Sequence, residues 1–168
     1  MSDPVRACLI IIGNEILSGR THDKNLPYLA EELNALGVRL AETRVIPDIE
    51  ATIIQTVNEC RAKFDYVFTT GGIGPTHDDI TSECVAKAFG VAIELNADAH
   101  DLLKSHYENP EDLNEARLRM ARIPVGAELI QNPISKAPGF RMENVYVMAG
   151  VPMIMQAMFQ GIKHQLIG

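Results

Sequence analysis

The sequence predicts an α/β fold: three α/β/α layers around a mostly parallel, Rossmann-like sheet, closed by a C-terminal hairpin and helix. Three observations carry this. In the first half of the chain, apolar runs of strand length alternate with stretches at helical spacing. The first run, Ala7–Ile12, is unbroken, as in a strand covered on both faces. The run at Tyr66–Thr69 passes through a glycine-rich turn into a further helical stretch, as at the ligand edge of a parallel sheet.

The elements follow in chain order. After strand 7–12, Asn25–Leu36 places Leu26, Leu29, Leu33 and Leu36 on one helical face, and Gly37 ends it. Val38–Ile46 alternates as a strand. Asp48 is expected to cap a helix running to Lys63, with Ile49, Ile53, Val57, Cys60 and Phe64 as its stripe. Strand Tyr66–Thr69 and helix Ile80–Phe89 follow, with Gly90 as the stop. This βαβαβα order predicts a parallel sheet. The second half is less regular. Ala97–Tyr107 and Glu111–Ala121 read as two helices parted by Asn109-Pro110, and Ala127–Gln131 as a short strand. Gly139–Met142 and Val145–Met148 read as a hairpin across Glu143-Asn144, and Pro152–Leu166 as the last helix. Met153, Met155 and Met158 fit gap-filling core or an interface.

Composition narrows the function. A chain of 168 residues is read as one domain, 1–168. A net charge of −7 without a basic block argues against a nucleic-acid partner. No run approaches the ~20 apolar residues of a membrane span, and no signal peptide is legible at the N-terminus. Cys8, Cys60 and Cys84 lie in apolar settings, which favours buried thiols over disulfides and a cytoplasmic location. No Cys/His spacing suits zinc, and no Gly-x-Ser-x-Gly elbow is present.

The candidate site lies where loops leave the carboxyl ends of parallel strands. Thr69 to Asp79 (Thr-Thr-Gly-Gly-Ile-Gly-Pro-Thr-His-Asp-Asp) joins strand to helix. Gly71, Gly72 and Gly74 let a ligand approach the backbone, Pro75 fixes part of the turn, and amides at the helix start suit an anion. It is neither a Walker loop nor a dinucleotide fingerprint. Asp78 and Asp79 are placed at or near the helix N-cap. The loops Gly13–Gly19 and Pro47-Asp48 should converge on it, bringing Asn14, Glu15, Ser18, Asp48, Thr70 and Thr76. Asn132–Gly139 adds Ser135, Lys136 and Gly139 as phosphate-binding candidates, and Gly150-Val151-Pro152 is a further strand-to-helix turn. His77 reads as an exposed loop histidine, with contact to a phosphate or proton transfer as the alternative. Amides and Lys136 favour an anion, whereas Glu15, Asp48, Asp78 and Asp79 repel it. A divalent cation (Mg²⁺, Mn²⁺ or Co²⁺) resolves the conflict, held by Glu15, Asp78 and Asp79 together with substrate phosphate.

The loop and the opening motif Gly13-Asn14-Glu15-Ile16-Leu17-Ser18-Gly19, followed by Asp23 and Asn25, resemble the molybdopterin-binding (MoaB/MogA-like) family, most closely the N-terminal domain of CinA, the competence/damage-inducible proteins. The resemblance implies a ligand that is a small nucleotide or pterin phosphate, with Asp48 and Asp79 as the paired acids. It implies a metal-dependent pyrophosphatase of ADP-ribose or a related dinucleotide. Molybdopterin binding or adenylyl transfer, and a non-catalytic assembly module, stay open beside it. It further implies a homo-oligomer, dimer or trimer.

Overall fold

The computed structural model describes residues 3–168. β1 (Val5–Ile12) leads through a one-turn helix α1 (Asn14–Leu17) to α2 (Asn25–Ala35), then to β2 (Val38–Ile46), α3 (Glu50–Lys63) and β3 (Tyr66–Thr70). α4 (Thr81–Phe89), β4 (Ile93–Leu95), α5 (Ala97–His106), α6 (Glu115–Leu118), β5 (Arg122–Pro124) and β6 (Glu128–Ile130) follow. The chain ends with β7 (Gly139–Met142), β8 (Val145–Met148) and α7 (Pro152–Ile162). Six strands form one sheet in the order β2-β1-β3-β8-β7-β6. β2, β1, β3 and β8 pair in parallel, and β7 is antiparallel to both of its neighbours.

Strand alternation makes the layers. Cys8, Ile10 and Ile12 of β1 face a core built with α3, α4 and α5, through Ile53, Val57, Val85 and Leu103. Ala7, Leu9 and Ile11 face the other core, with Leu29 and Leu33 of α2 and Met155, Met158 and Phe159 of α7. Successive side chains of a strand point to opposite faces, so a strand between two helical layers must be apolar at every position. All six residues of β1 from Ala7 to Ile12 are buried accordingly. Met155 and Met158 are core, while Met153 is exposed.

Four expectations change. The helix expected over 111–121 is a 3-10 turn at Pro110–Asp112, then α6, then a 3-10 turn at Arg119–Ala121. Asn114 starts α6 anew by accepting the Arg117 N–H at 3.0 Å. β4 and β5, each of three residues, form a separate antiparallel pair and are too short to show a period. The last helix stops at Ile162 and continues as a 3-10 turn to Gln165. Asp48 does not cap α3: Ile49 holds the cap position without a side-chain bond, and the Asp48 carboxylate turns away to Asn14.

Candidate functional site

β1 connects to β2 on one side and the chain returns through α3 to β3 on the other, so the direction of winding reverses between β1 and β3. Such a reversal opens a crevice beyond the strand ends. A cavity of about 510 Å³ lies there, between Ile12, Thr70 to Pro75, Ser135 and Gly150 to Pro152.

The glycine loop is built by close approach. A Cβ on Gly71 would stand 2.2 Å from the Ile12 carbonyl oxygen, and one on Gly72 would stand 1.9 Å from Thr81 Oγ1. Both glycines have left-handed φ, +98° and +77°. Buried Thr81 holds the loop: its Oγ1 donates to the Gly71 carbonyl and its N–H to that of Gly72, both at 3.0 Å. The first amide of α4 is therefore engaged inside the loop. Gly71 N–H likewise donates to the Met148 carbonyl. The N–H groups of Gly72, Ile73 and Gly74 meet no protein acceptor among the described residues, so the amides open toward the cavity lie there rather than at the start of α4.

Asp79 closes the loop. Its Oδ2 accepts the N–H and the hydroxyl of Thr76, both at 2.9 Å, and Gly74 leaves room for it, since a Cβ there would stand 2.8 Å away. Neither Asp78 nor Asp79 caps α4; Ile80 occupies that position. His77 and Asp78 are exposed at the tip, 3.5 Å apart. On the facing loop, Gly13 makes room for Glu15, whose Oε1 would lie 2.4 Å from a Cβ there. Asp48 Oδ2 accepts the Asn14 N–H at 3.2 Å. Burial holds the Asp48 carboxyl above its ordinary range; the Asn14 N–H opposes this, and the charges of Glu15, Asp79 and Asp78 add to it. Three carboxylates on two other loops thus bear on Asp48.

Of the residues expected from sequence, Glu15, Thr70, Gly71, Gly72, Gly74, Pro75, Asp79 and Ser135 line the cavity. Asn14, Asp48, Thr76, Asp78, Lys136 and Gly139 do not. Gly139 opens β7, and a Cβ there would stand 2.2 Å from the Val147 carbonyl oxygen, so its role is strand packing. Lys136 takes a left-handed turn, φ +69°, and its N–H donates to the Asn132 carbonyl.

Three residues have roles that the sequence reading did not assign, although Asn25 and Asn132 stand in segments it singled out. Asn132, 3% exposed, shapes its loop: Oδ1 accepts the N–H groups of Ile134 and Ser135, and Nδ2 donates to Ser135 Oγ and the Ala137 carbonyl. Arg119 donates to the Thr76 carbonyl at 3.0 Å, bracing the glycine loop from the α6 excursion. Asn25, also 3% exposed, lines the cavity; its Nδ2 donates to the Gly150 carbonyl at 2.9 Å and its Oδ1 has no partner among the described residues. Buried polar atoms are nearly always paired, so this acceptor suits a donor carried by a ligand. An Asx-Pro or Gly-rich neighbourhood was the one available signal, at Asn132-Pro133.

The electrostatics are one-sided. Glu15, Asp23 and Asp79 line the cavity, and no Lys, Arg or His does so among the described residues. An anionic ligand needs a counter-charge. The donor set is all oxygen, and no three of these acids bring ligand oxygens within 4.8 Å of one another among the described residues. These acids therefore form no closed protein cage, and a cation here would take one or two carboxylates, waters and oxygens of its ligand.

Comparison with known proteins agrees with this fold. Residues 8–168 match the family model described as "Probable molybdopterin binding domain". The solved structure of CinA, of unknown function, from Thermoplasma acidophilum superposes with a TM-score of 0.91 at 32% identity, covering 99% of this chain and all of that one. A tungsten cofactor synthesizing protein, MoaB from Pyrococcus furiosus, shares the fold at a TM-score of 0.62 and 21% identity, covering 98% and 94%. A CinA-like protein of Myxococcus xanthus is 36% identical over 94% of this chain, which spans 38% of that protein. A protein of Pyrobaculum calidifontis is 37% identical over 96% of the chain, which spans 63% of it. The chain thus spans less than two thirds of these curated relatives. No helix among the described residues is long and apolar enough to cross a membrane.

Proposed function

The chain belongs to the molybdopterin-binding domain family, and from that premise we propose that its cavity is the active site of a divalent-metal-dependent pyrophosphatase acting on ADP-ribose or a related dinucleotide. The observation that carries this reading is the acid-lined cavity, without a cationic side chain, beneath the unengaged amides of Gly72 to Gly74. Amides alone suit a phosphate, and the carboxylates suit a metal that accompanies it.

Glu15 and Asp79 would hold the cation, with Asp78 at the loop tip within electrostatic reach. When bound, the metal would supply charge stabilisation on phosphate oxygens. The amides of the glycine loop orient the phosphates. Asp79, which lines the cavity, takes the proton from a water attacking one phosphorus, while Asp48, outside the lining, accepts the Asn14 N–H and positions that loop. The bridging P–O bond breaks, and ADP-ribose yields AMP and ribose 5-phosphate. The apolar walls, Ile12, Ile16 and Ile154 among them, suit the ring of the nucleotide.

The test is a substrate panel of ADP-ribose, FAD and NAD with Mg²⁺, Mn²⁺, Co²⁺ or EDTA, read as AMP by chromatography. Metal-dependent AMP, reduced by at least 100-fold in Asp79→Asn, supports the proposal; absence of product in every condition sinks it. A second reading, binding of a pterin phosphate, is favoured by the description of the matching family and by the unpaired Asn25 acceptor, which suits a ring N–H. Saturable binding of a pterin phosphate with no AMP released from any dinucleotide would select it.

A further inference from the structure

Cys8 and Cys60 take no part in the cavity. Cys8 lies in β1, at the point where its register with β2 shifts, and Cys60 lies on the inner face of α3. Both are fully buried, and the Cys8 thiol donates to the Cys60 sulfur with the two Sγ atoms 3.5 Å apart. A carboxylate oxygen of Glu42 completes a cluster within 4.8 Å. Yet Glu42 Oε2 accepts from Arg44 at 2.8 Å and Oε1 from Lys63 at 3.3 Å. With both oxygens engaged by cations, the sulfurs are left to each other rather than to a shared metal. The hydrogen bond from Cys8 lowers the Cys60 pKa, with Arg44 adding to it, and the same bond raises that of Cys8. The two sulfurs thus share one proton-bearing contact in a buried pair.

We propose that Cys8 and Cys60 form a dithiol site that closes to an intramolecular disulfide in the folded chain by exchange with a low-molecular-weight disulfide. Local opening of α3 from β1 admits the small disulfide to these fully buried sulfurs; Cys60 thiolate then attacks one of its sulfurs, whose S–S bond breaks and releases a thiolate. Cys8 then gives its proton to that thiolate and attacks the Cys60 sulfur, expelling the second small thiol. Two protein thiols are oxidised and one small disulfide is reduced to two thiols. Closure brings the sulfurs from 3.5 Å to about 2 Å, a movement that side-chain rotation of the two cysteines shares. Cys84 is the built-in control: it is buried by itself, and burial pushes its thiol up to about 11.

The bond would join positions 52 residues apart, and cross-linking a loop of that size predicts a rise in Tm on the order of 10 °C. The experiment exposes the whole native chain to 2-hydroxyethyl disulfide, removes the reagent, and counts free thiols in denaturant. The expected count falls from three to one, peptide mapping joins residues 8 and 60, and Tm rises. In Cys84→Ser it falls from two to none. The proposal is overturned if the native chain keeps all three thiols under conditions that oxidise the unfolded chain, if the mapped bond contains Cys84, if Tm fails to rise, or if the pair proves blocked by a metal released on denaturation.

Discussion

Replacing Gly71 by alanine should unfold more of this protein's stability than replacing any other positive-φ glycine. Two terms add. An L-residue at φ +98° leaves the favoured backbone regions, which costs about 1–2 kcal/mol. The new Cβ would also stand 2.2 Å from the Ile12 carbonyl oxygen. That oxygen belongs to the end of β1 and cannot rotate aside, so overpacking costs roughly 1–3 kcal/mol more. The sum is about 3–5 kcal/mol. At Gly72 the clash is with Thr81 Oγ1, a side chain that can turn at the loss of its bond to Gly71, and the expected cost is roughly 2–3 kcal/mol. Gly90 has φ +69° and open space around it, so only the backbone term of about 1 kcal/mol remains. Urea unfolding with a common m-value reads all three. If Gly71→Ala costs no more than Gly90→Ala, the close approach of the glycine loop to β1 is not what holds the crevice together.

Asp48 carries a pH prediction. Its folded pKa is raised, so the folded chain binds that proton more tightly than the unfolded chain, and ionised Asp48 weakens the fold at neutral pH. Asp48→Asn should melt above wild type at neutral pH, with the difference closing as pH falls through the carboxylate range; melting curves across that range check it, and a gap that widens toward acid refutes it. Asn132→Ala removes four hydrogen bonds from a buried hub and should cost about 2–4 kcal/mol by urea unfolding. Asn25→Ala deletes one buried bond and one orphaned acceptor together. Its stability should fall by only about 1 kcal/mol, while AMP binding measured by calorimetry weakens roughly tenfold. Mg²⁺ should raise the Tm of wild type and leave Asp79→Asn unmoved, because only a site that binds the folded state shifts the equilibrium.

Much of the architecture was legible because it is written in local periodicity. The unbroken run at Ala7–Ile12 identified a strand between two layers, and the cores on its two faces are the reason for that pattern. β2 and the β7–β8 hairpin lie where alternation and turn residues put them. Strand order brings β1, β2 and β3 side by side, which puts the loops that leave their carboxyl ends at one edge of the sheet. The α6 region was misread as one helix because an isolated Asn cap inside a polar stretch has no periodic signature.

By itself, then, the sequence determined the layered fold, the glycine loop and the types of residue around it, because spacing and turn chemistry act over a few residues. Tertiary structure decided the rest. It moved Asp48 from a helix cap to the Asn14 amide, turned Asp79 onto Thr76, placed Gly139 in strand packing, and set Cys8 against Cys60. Each of these depends on segments far apart in the chain meeting at atomic distance, where packing and the pairing of buried polar groups, rather than local preference, select the partner.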